Sequence, residues 1–351
     1  MSTAVAPRTG GLDVPTGVDE HIGKWAAFVA SPSLRLTGRR FLQAIPVLWG
    51  VTFLTYLFLN LLPGDAASQL LGANATPQEV RALTIQLHLN EPFLVRYWHW
   101  FTGLLHGNLG TSLANGQTVS SILGQRLPVT FELVIVSVIV TVLIAVPMAT
   151  MAARKPRGIF DRVTTVLSMG LISVAQFVFA LLLILLFSVI WPVLPALGWT
   201  PLTQSIGENA RYLVLPVMTI ALPMAGFVAR LLRADLIEQM DSQEYIVTAR
   251  AKGLSRWSQL VRHALRNSLM GLLTIFGLQV ALLFGLTVIV EEIFGLPGIG
   301  QALVTAINDR DAPLVEGIVL VLAGIVVIVN LLIDVTYGVL DPRIRHGRSS
   351  V

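Results

Sequence analysis

Six apolar runs separated by polar sequence dominate the chain, at roughly residues 41–62, 129–153, 163–190, 213–228, 269–290 and 315–339. A helix rises about 1.5 Å per residue, so about 20 apolar residues cross the hydrocarbon core. The pattern predicts an all-α polytopic membrane protein with six transmembrane helices. The fourth run is short and holds Pro216 and Pro223, which predicts a span that is kinked or partly unwound between its neighbours. The first run follows Pro-, Thr- and Gly-rich sequence instead of a short basic segment with a cleavage site, and reads as a retained anchor.

Polar positions then define the rest. Before the first run, residues 1–40 form an extension in which Val18, Ile22, Trp25, Ala26 and Val29 share a helical face suited to the inner leaflet. Residues 63–128 make the longest outer segment. Within it Thr76-Pro77-Gln78-Glu79 is a capping box that starts a helix. A second helix near Glu91 carries Phe93, Tyr97, Trp98, Trp100 and Phe101, aromatics expected at the headgroup level. Residues 230–268 form a long loop before the fifth run, and 347–351 a short tail.

Charge orients the spans. Of 24 Lys and Arg, 19 fall on the N-terminus, the C-terminus and the loops on their side, against 5 on the other. The positive-inside rule places both termini and the 230–268 loop in the cytoplasm. This distribution explains the pI of about 9.8 without a nucleic-acid partner. Charged residues make up 13% of the chain and hydrophobic ones 54%, as lipid demands, and the absence of cysteine excludes disulfides and thiolate metal sites.

The loop 230–268 has internal design. Glu244 to Lys252 has helical character, Gly253 suits a left-handed position after it, and Ser255 can cap a second short helix beginning Arg256-Trp257. Two short helices meeting at a turn are expected. From the residues alone this is either an amphipathic linker on anionic headgroups or a shaped docking element.

The strings TARAKGL and RHALRNSL in this loop resemble the EAA loop of ABC importer permeases, in the form used by the dipeptide, oligopeptide and nickel family. With the general motif's glycine on Gly253, its second alanine falls on Ala249 and its leucine on Leu265. Its glutamate position falls on Val247 and its first alanine on Thr248, while His263 and Arg266 replace isoleucine and proline; an acid stands earlier, at Glu244. The peptide-permease form, close to EYVRTARAKGL…RHALRNAL, fits better. RRFLQAIPVLWGVTFLTYLFLNLLPGD at 39–65, LNEPFLVRYWHWFTGLLHGNLGTS at 89–112, EEIFGLPGIG at 291–300 and DPRIR at 341–345 are similar to B-type subunits of peptide importers.

The resemblance implies a type I permease fold over residues 41–346 and a place in the cytoplasmic (inner) membrane. It implies an ATPase-coupling elbow of Glu244, Tyr245, Thr248, Ala249, Arg250, Ala251, Lys252, Gly253, Leu254, His263 and Arg266. It also implies partners: a second, C-type permease subunit, cytoplasmic ATPase subunits that hold ATP and Mg, and an extracytoplasmic substrate-binding protein. No cofactor is expected on this chain. Peptide is the cargo the resemblance favours, with nickel or another small ligand as the alternative. The paired acids Glu291 and Glu292 fall where the family places the pathway mouth. Ala175-Gln176 stands where relatives often carry proline, which leaves a bend of the third span open.

The remaining motifs argue against other classes. There is no G-x-x-x-x-G-K-[ST] loop, no H-E-x-x-H helix, and the lone G-x-S at 110–112 has no placed base, so an ATPase or protease is not expected. A secondary transporter or channel would use polar groups in the spans. Glu132 and Asp334 sit near span ends. Gln176 and Gln279 lie deeper, either joining helices or lining a pathway, and Asn330 is a further candidate. His88, His99 and His106 match no standard metal spacing.

Overall fold

The computed structural model describes residues 32–61, 75–86 and 90–340. The N-terminal face, His88 and the DPRIR string lie outside the described residues. Among the described residues every regular element is a helix, with one isolated antiparallel bridge between Thr111 and Thr118. In order they are α1 (Pro32–Leu61), α2 (Pro77–Gln86), α3 (Phe93–Leu105), α4 (Val119–Arg154), α5 (Ile159–Ser173) and α6 (Gln176–Ile184), which continues as a π turn, Leu185–Ile190. Then come α7 (Ile206–Ser242), α8 (Glu244–Ala251), α9 (Arg256–Ser258), a π turn (Gln259–Ala264), α10 (Leu265–Phe294), α11 (Ile299–Asn308) and α12 (Ala312–Leu340).

Five helices are long and apolar enough to cross a membrane, and the bent pair α5/α6 makes six if counted as one span. The bend is 102°. It occurs without proline: Val174 (ψ 128°) and Ala175 (ψ 136°) are extended, which interrupts the hydrogen-bond ladder between the halves. The question that Ala175-Gln176 left open is thereby answered in favour of a bend.

The fourth span is longer than its apolar run and is not unwound at its prolines. α7 is one helix of 37 residues that contains both Pro216 and Pro223. The apolar run stops near residue 228 only because Arg230, Arg233 and Asp235 interrupt it, while the helix continues to Ser242. Its prolines are tolerated because it is the central helix, packed against α4, α5, α6 and α10. Ala221, Ala225 and Ala229 repeat every four residues on its buried side, and Ala145, Ala149 and Ala153 do so on α4. Small residues at this spacing let two backbones approach closely, which substitutes dispersion contacts for the hydrophobic drive that lipid removes. Large apolar side chains such as Leu143, Val166, Leu282 and Leu332 face outward, as lipid or a partner helix requires.

The segment 63–128 forms its capping box as read. The Thr76 backbone N–H donates to Glu79 Oε2 (2.8 Å), and the Glu79 N–H donates to Thr76 Oγ1 (3.3 Å). These bonds to Thr76 hold the Glu79 carboxyl below its usual range. The aromatic helix α3 divides. Tyr97 is buried against Phe53 and Tyr56 of α1, with ring centroids 5.3 and 5.4 Å away, whereas Trp98 stays exposed. Part of the predicted headgroup belt is thus a clamp on the first span.

Candidate coupling site

The elbow begins where α7 ends. Gln243 is extended (φ −90°, ψ 129°), and this one residue redirects the chain into α8. Ile246 and Ala249 of α8 are buried; Ile246 packs in the core with Leu236 and Met240 of α7 and with Leu260 and Ala264 of the π turn. Glu244, Val247, Thr248, Arg250, Ala251 and Lys252 remain exposed, Val247 at 60%. One side of this short helix therefore anchors it and the other is free to meet a partner.

The turn after α8 is built around Gly253, whose φ is +76°. A residue with a Cβ rarely adopts that value. Its N–H donates to Arg250 O (3.0 Å), and the Leu254 N–H donates to Ala249 O (3.3 Å), closing the helix end. Ser255 then caps the next helix by accepting from the Ser258 N–H (3.3 Å). Gln259, buried, donates through Nε2 to Leu254 O at 2.6 Å, so the turn is held from behind as well. Sequence reasoning missed Gln259. Its signal was a polar residue next to the buried Leu260, one turn after a capping serine.

Two features differ from the expected pair of short helices. The second helix is not short: α9 passes through the π turn into α10, so the elbow is continuous with the fifth span. A displacement of α8 is thereby connected to a membrane helix with no flexible joint after Ser255. The residues assigned by resemblance also separate. Tyr245, His263 and Arg266 line a cleft of about 260 Å³ with Arg262 and Asn267, a cleft not lined by the exposed residues of α8.

Neighbouring helices brace the elbow and the helix that leads into it. Arg154, the last residue of α4, lies 5.6 Å from the ring centre of Trp257, a cation–π contact. In α5, Asp161 is buried and ion-paired with Arg233 of α7; Oδ2 accepts from Arg233 Nη2 and from the Arg157 N–H, each at 2.7 Å. Nothing in the apolar pattern announced this pair, because its members lie 72 residues apart.

At the other end of α10 the paired acids have opposite fates. Glu292 is exposed, whereas Glu291 is fully buried, with both carboxyl oxygens engaged within the chain. Oε1 accepts from Thr130 Oγ1 (2.6 Å), and Oε2 accepts from the N–H groups of Gly300 (2.6 Å) and Gln301 (3.2 Å). Thr130 Oγ1 in turn accepts from the Ile299 N–H at 2.9 Å. Glu291 thus ties α4, α10 and the start of α11 together, while Glu292 is the acid left at the surface. Its apolar neighbours in sequence fold inward because Gly295 (φ +62°) ends α10 and turns the chain back. An added Cβ at Gly298 would collide with the same carboxyl.

The other polar candidates fall as follows. Glu132 is half-buried in α4 beside Asn209 of α7. Gln176 begins α6 beside the bend, and its Oε1 is buried without a hydrogen-bond partner; Gln279 is half-buried in α10. Asn330 Oδ1 is likewise buried and unbonded, and the side chain of Asp334 lies outside the described residues. His99 pairs with Glu91 (3.6 Å), and His106 Nδ1 bonds Thr102 O (2.8 Å).

The sequence models for binding-protein-dependent transport systems match along nearly the whole described chain: the inner membrane component at residues 145–346 and its N-terminal component at 33–134. The chain belongs to this family of transport-system membrane components, and its fold is that of a type I ABC permease. A peptide transport system permease protein of Brucella abortus (strain 2308) is 40% identical over 310 residues, covering 88% of this chain and 98% of the relative. The dipeptide transport system permease protein DppB of Escherichia coli (strain K12) is 33% identical over 334 residues, with the same two shares. A peptide ABC transporter permease protein of Sinorhizobium fredii is 36% identical over 308 residues, again with those shares.

Proposed function

We propose that this chain is the B-type membrane subunit of an ATP-driven importer that carries short peptides across the cytoplasmic membrane. The observation that carries the reading is the elbow: α8 is anchored on one side, exposed on the other, and joined rigidly to the fifth span through a left-handed turn at Gly253. Such an element passes rigid-body motion from a cytoplasmic partner to the membrane helices. The names of the relatives support peptide as the cargo.

In this reading the chain hydrolyses nothing. ATP and Mg are held by separate ATPase subunits seated on Glu244, Val247, Thr248, Arg250, Ala251 and Lys252. A C-type permease completes the membrane pathway, and an extracytoplasmic binding protein delivers the peptide. The test is reconstitution of the complete complex into liposomes. Accumulation of a labelled dipeptide should require ATP and the binding protein; uptake by this chain alone, driven by a proton or sodium gradient, would replace the reading with a secondary transporter.

The orientation has its own test. Ser120 and Ser255 are both exposed, and the chain has no native cysteine. Single cysteines there should respond oppositely to an impermeant thiol reagent on intact cells, Ser120→Cys labelled and Ser255→Cys protected. Labelling of Ser255→Cys alone would invert the topology.

A further inference from the structure

The cleft of about 260 Å³ behind the elbow has a composition that docking of α8 does not use. Tyr245, Arg262, His263, Arg266 and Asn267 line it. Among the described residues neither guanidinium, nor the imidazole of His263, has a hydrogen bond or ion pair. The back wall is fixed: Gln239 Oε1 accepts from Tyr245 Oη (2.6 Å) and from Asn267 Nδ2 (3.0 Å). Asp235 of α7 is the acidic group whose charge is felt at Tyr245, and it makes no salt bridge to either arginine. Two unpaired forks beside an imidazole make a receptor for an oxyanion, since guanidinium groups match phosphate geometry with paired donors.

Depth selects the source of that anion. The fifth apolar run begins near residue 269, so Arg262, Arg266 and Asn267 stand within about two helical turns of the edge of that span. That position sets the cleft at the level of the headgroups. Val261 and Leu269, in the same helical run, are 37% and 41% exposed, apolar surface of the kind that accompanies an acyl chain. We infer that this cleft binds the phosphate of an anionic lipid headgroup in the inner leaflet. The inference uses the cytoplasmic placement of the elbow but not the identity of the cargo. It separates His263 and Arg266 from the ATPase-contacting surface.

The test uses the assembled complex containing the full-length chain, in mixed micelles of phosphatidylglycerol or of phosphatidylcholine, with retained lipid counted by native mass spectrometry. The wild type should retain phosphatidylglycerol about tenfold better than the Arg262→Gln/Arg266→Gln double variant, a loss in keeping with two cations at an anionic surface. Arg262→Lys/Arg266→Lys should fall between them, because it keeps charge and loses the fork. Thermal melting of each variant checks that the fold survives; Arg262→Gln alone, at an exposed position, gives the same reading at smaller amplitude if the double variant does not. Equal retention by wild type and the Gln variants would overturn the inference. Erasure of the difference by excess inorganic phosphate would make this a site for soluble anions and overturn the lipid assignment. Loss of the ATPase subunits from the double Gln variant in phosphatidylcholine alone would reassign the cleft to a partner's carboxylate, with the same consequence.

Discussion

Replacing Glu291 by alanine is expected to loosen the junction of α4, α10 and α11 by about 3 kcal/mol, because several buried donors lose their acceptor at once and each orphaned group costs on the order of 1 to 3 kcal/mol. The donors are the Thr130 hydroxyl and the N–H groups of Gly300 and Gln301. The Ile299 N–H is affected indirectly, since it bonds the same Thr130 oxygen. Glu291→Gln should cost less than alanine, as its amide keeps one acceptor, but it places an NH₂ group toward some of these donors. Thermal melting of the purified chain gives the stability change. Hydrogen exchange resolved at Gly300 and Gln301 gives its location, with both amides exchanging faster in the variant. Unchanged protection at the two amides would remove Glu291 as the tie between α4, α10 and α11. A pathway role predicts a different pattern, with transport lost and these amides unaffected.

The apolar pattern made the membrane class and the six runs legible, since length and hydropathy act locally. It misjudged α7, where charged residues end the apolar run while the helix goes on to Ser242. Hydropathy reports lipid contact, and a central helix that leaves the membrane no longer needs it. The same limit affected Glu291. Two adjacent acids look alike in a string, yet the αL turn at Gly295 sends one inward and leaves the other outside.

The elbow was more readable, because capping and left-handed turns are local chemistry. Ser255 caps with its hydroxyl, and Gly253, lacking a Cβ, takes the left-handed turn. What could not be read was the support behind them. Gln239, Gln259 and the Asp161–Arg233 pair act through tertiary contacts, and no local pattern sets a polar residue apart as one that will be buried. The cleft at Arg262 and Arg266 belongs to the same class.

The largest functional effect is expected from Gly253→Val. Space is not the obstacle, because an added Cβ at Gly253 meets no atom within 4 Å. The obstacle is φ of +76°, a region in which a β-branched residue is strained by about 1 to 3 kcal/mol. The turn would relax by moving toward negative φ, and α8 would tilt or fray because its last turn is closed by the Gly253 and Leu254 N–H groups. At 1.4 kcal/mol per tenfold, the coupled geometry would fall in population by about five- to 140-fold. Gly253→Asn should lose less, since asparagine tolerates the left-handed region. Spans and insertion should be untouched, because the substituted residue lies between helices. Removing charge instead, as in Arg250→Gln with Lys252→Gln, is the change that a lipid-lying linker would feel most. The direct measurement is ATP hydrolysis by the reconstituted complex, with and without peptide-loaded binding protein, for the wild type and Gly253→Val at equal assembly. The coupling account predicts that stimulation is lost or strongly reduced in the valine variant, while full stimulation by that variant would contradict it.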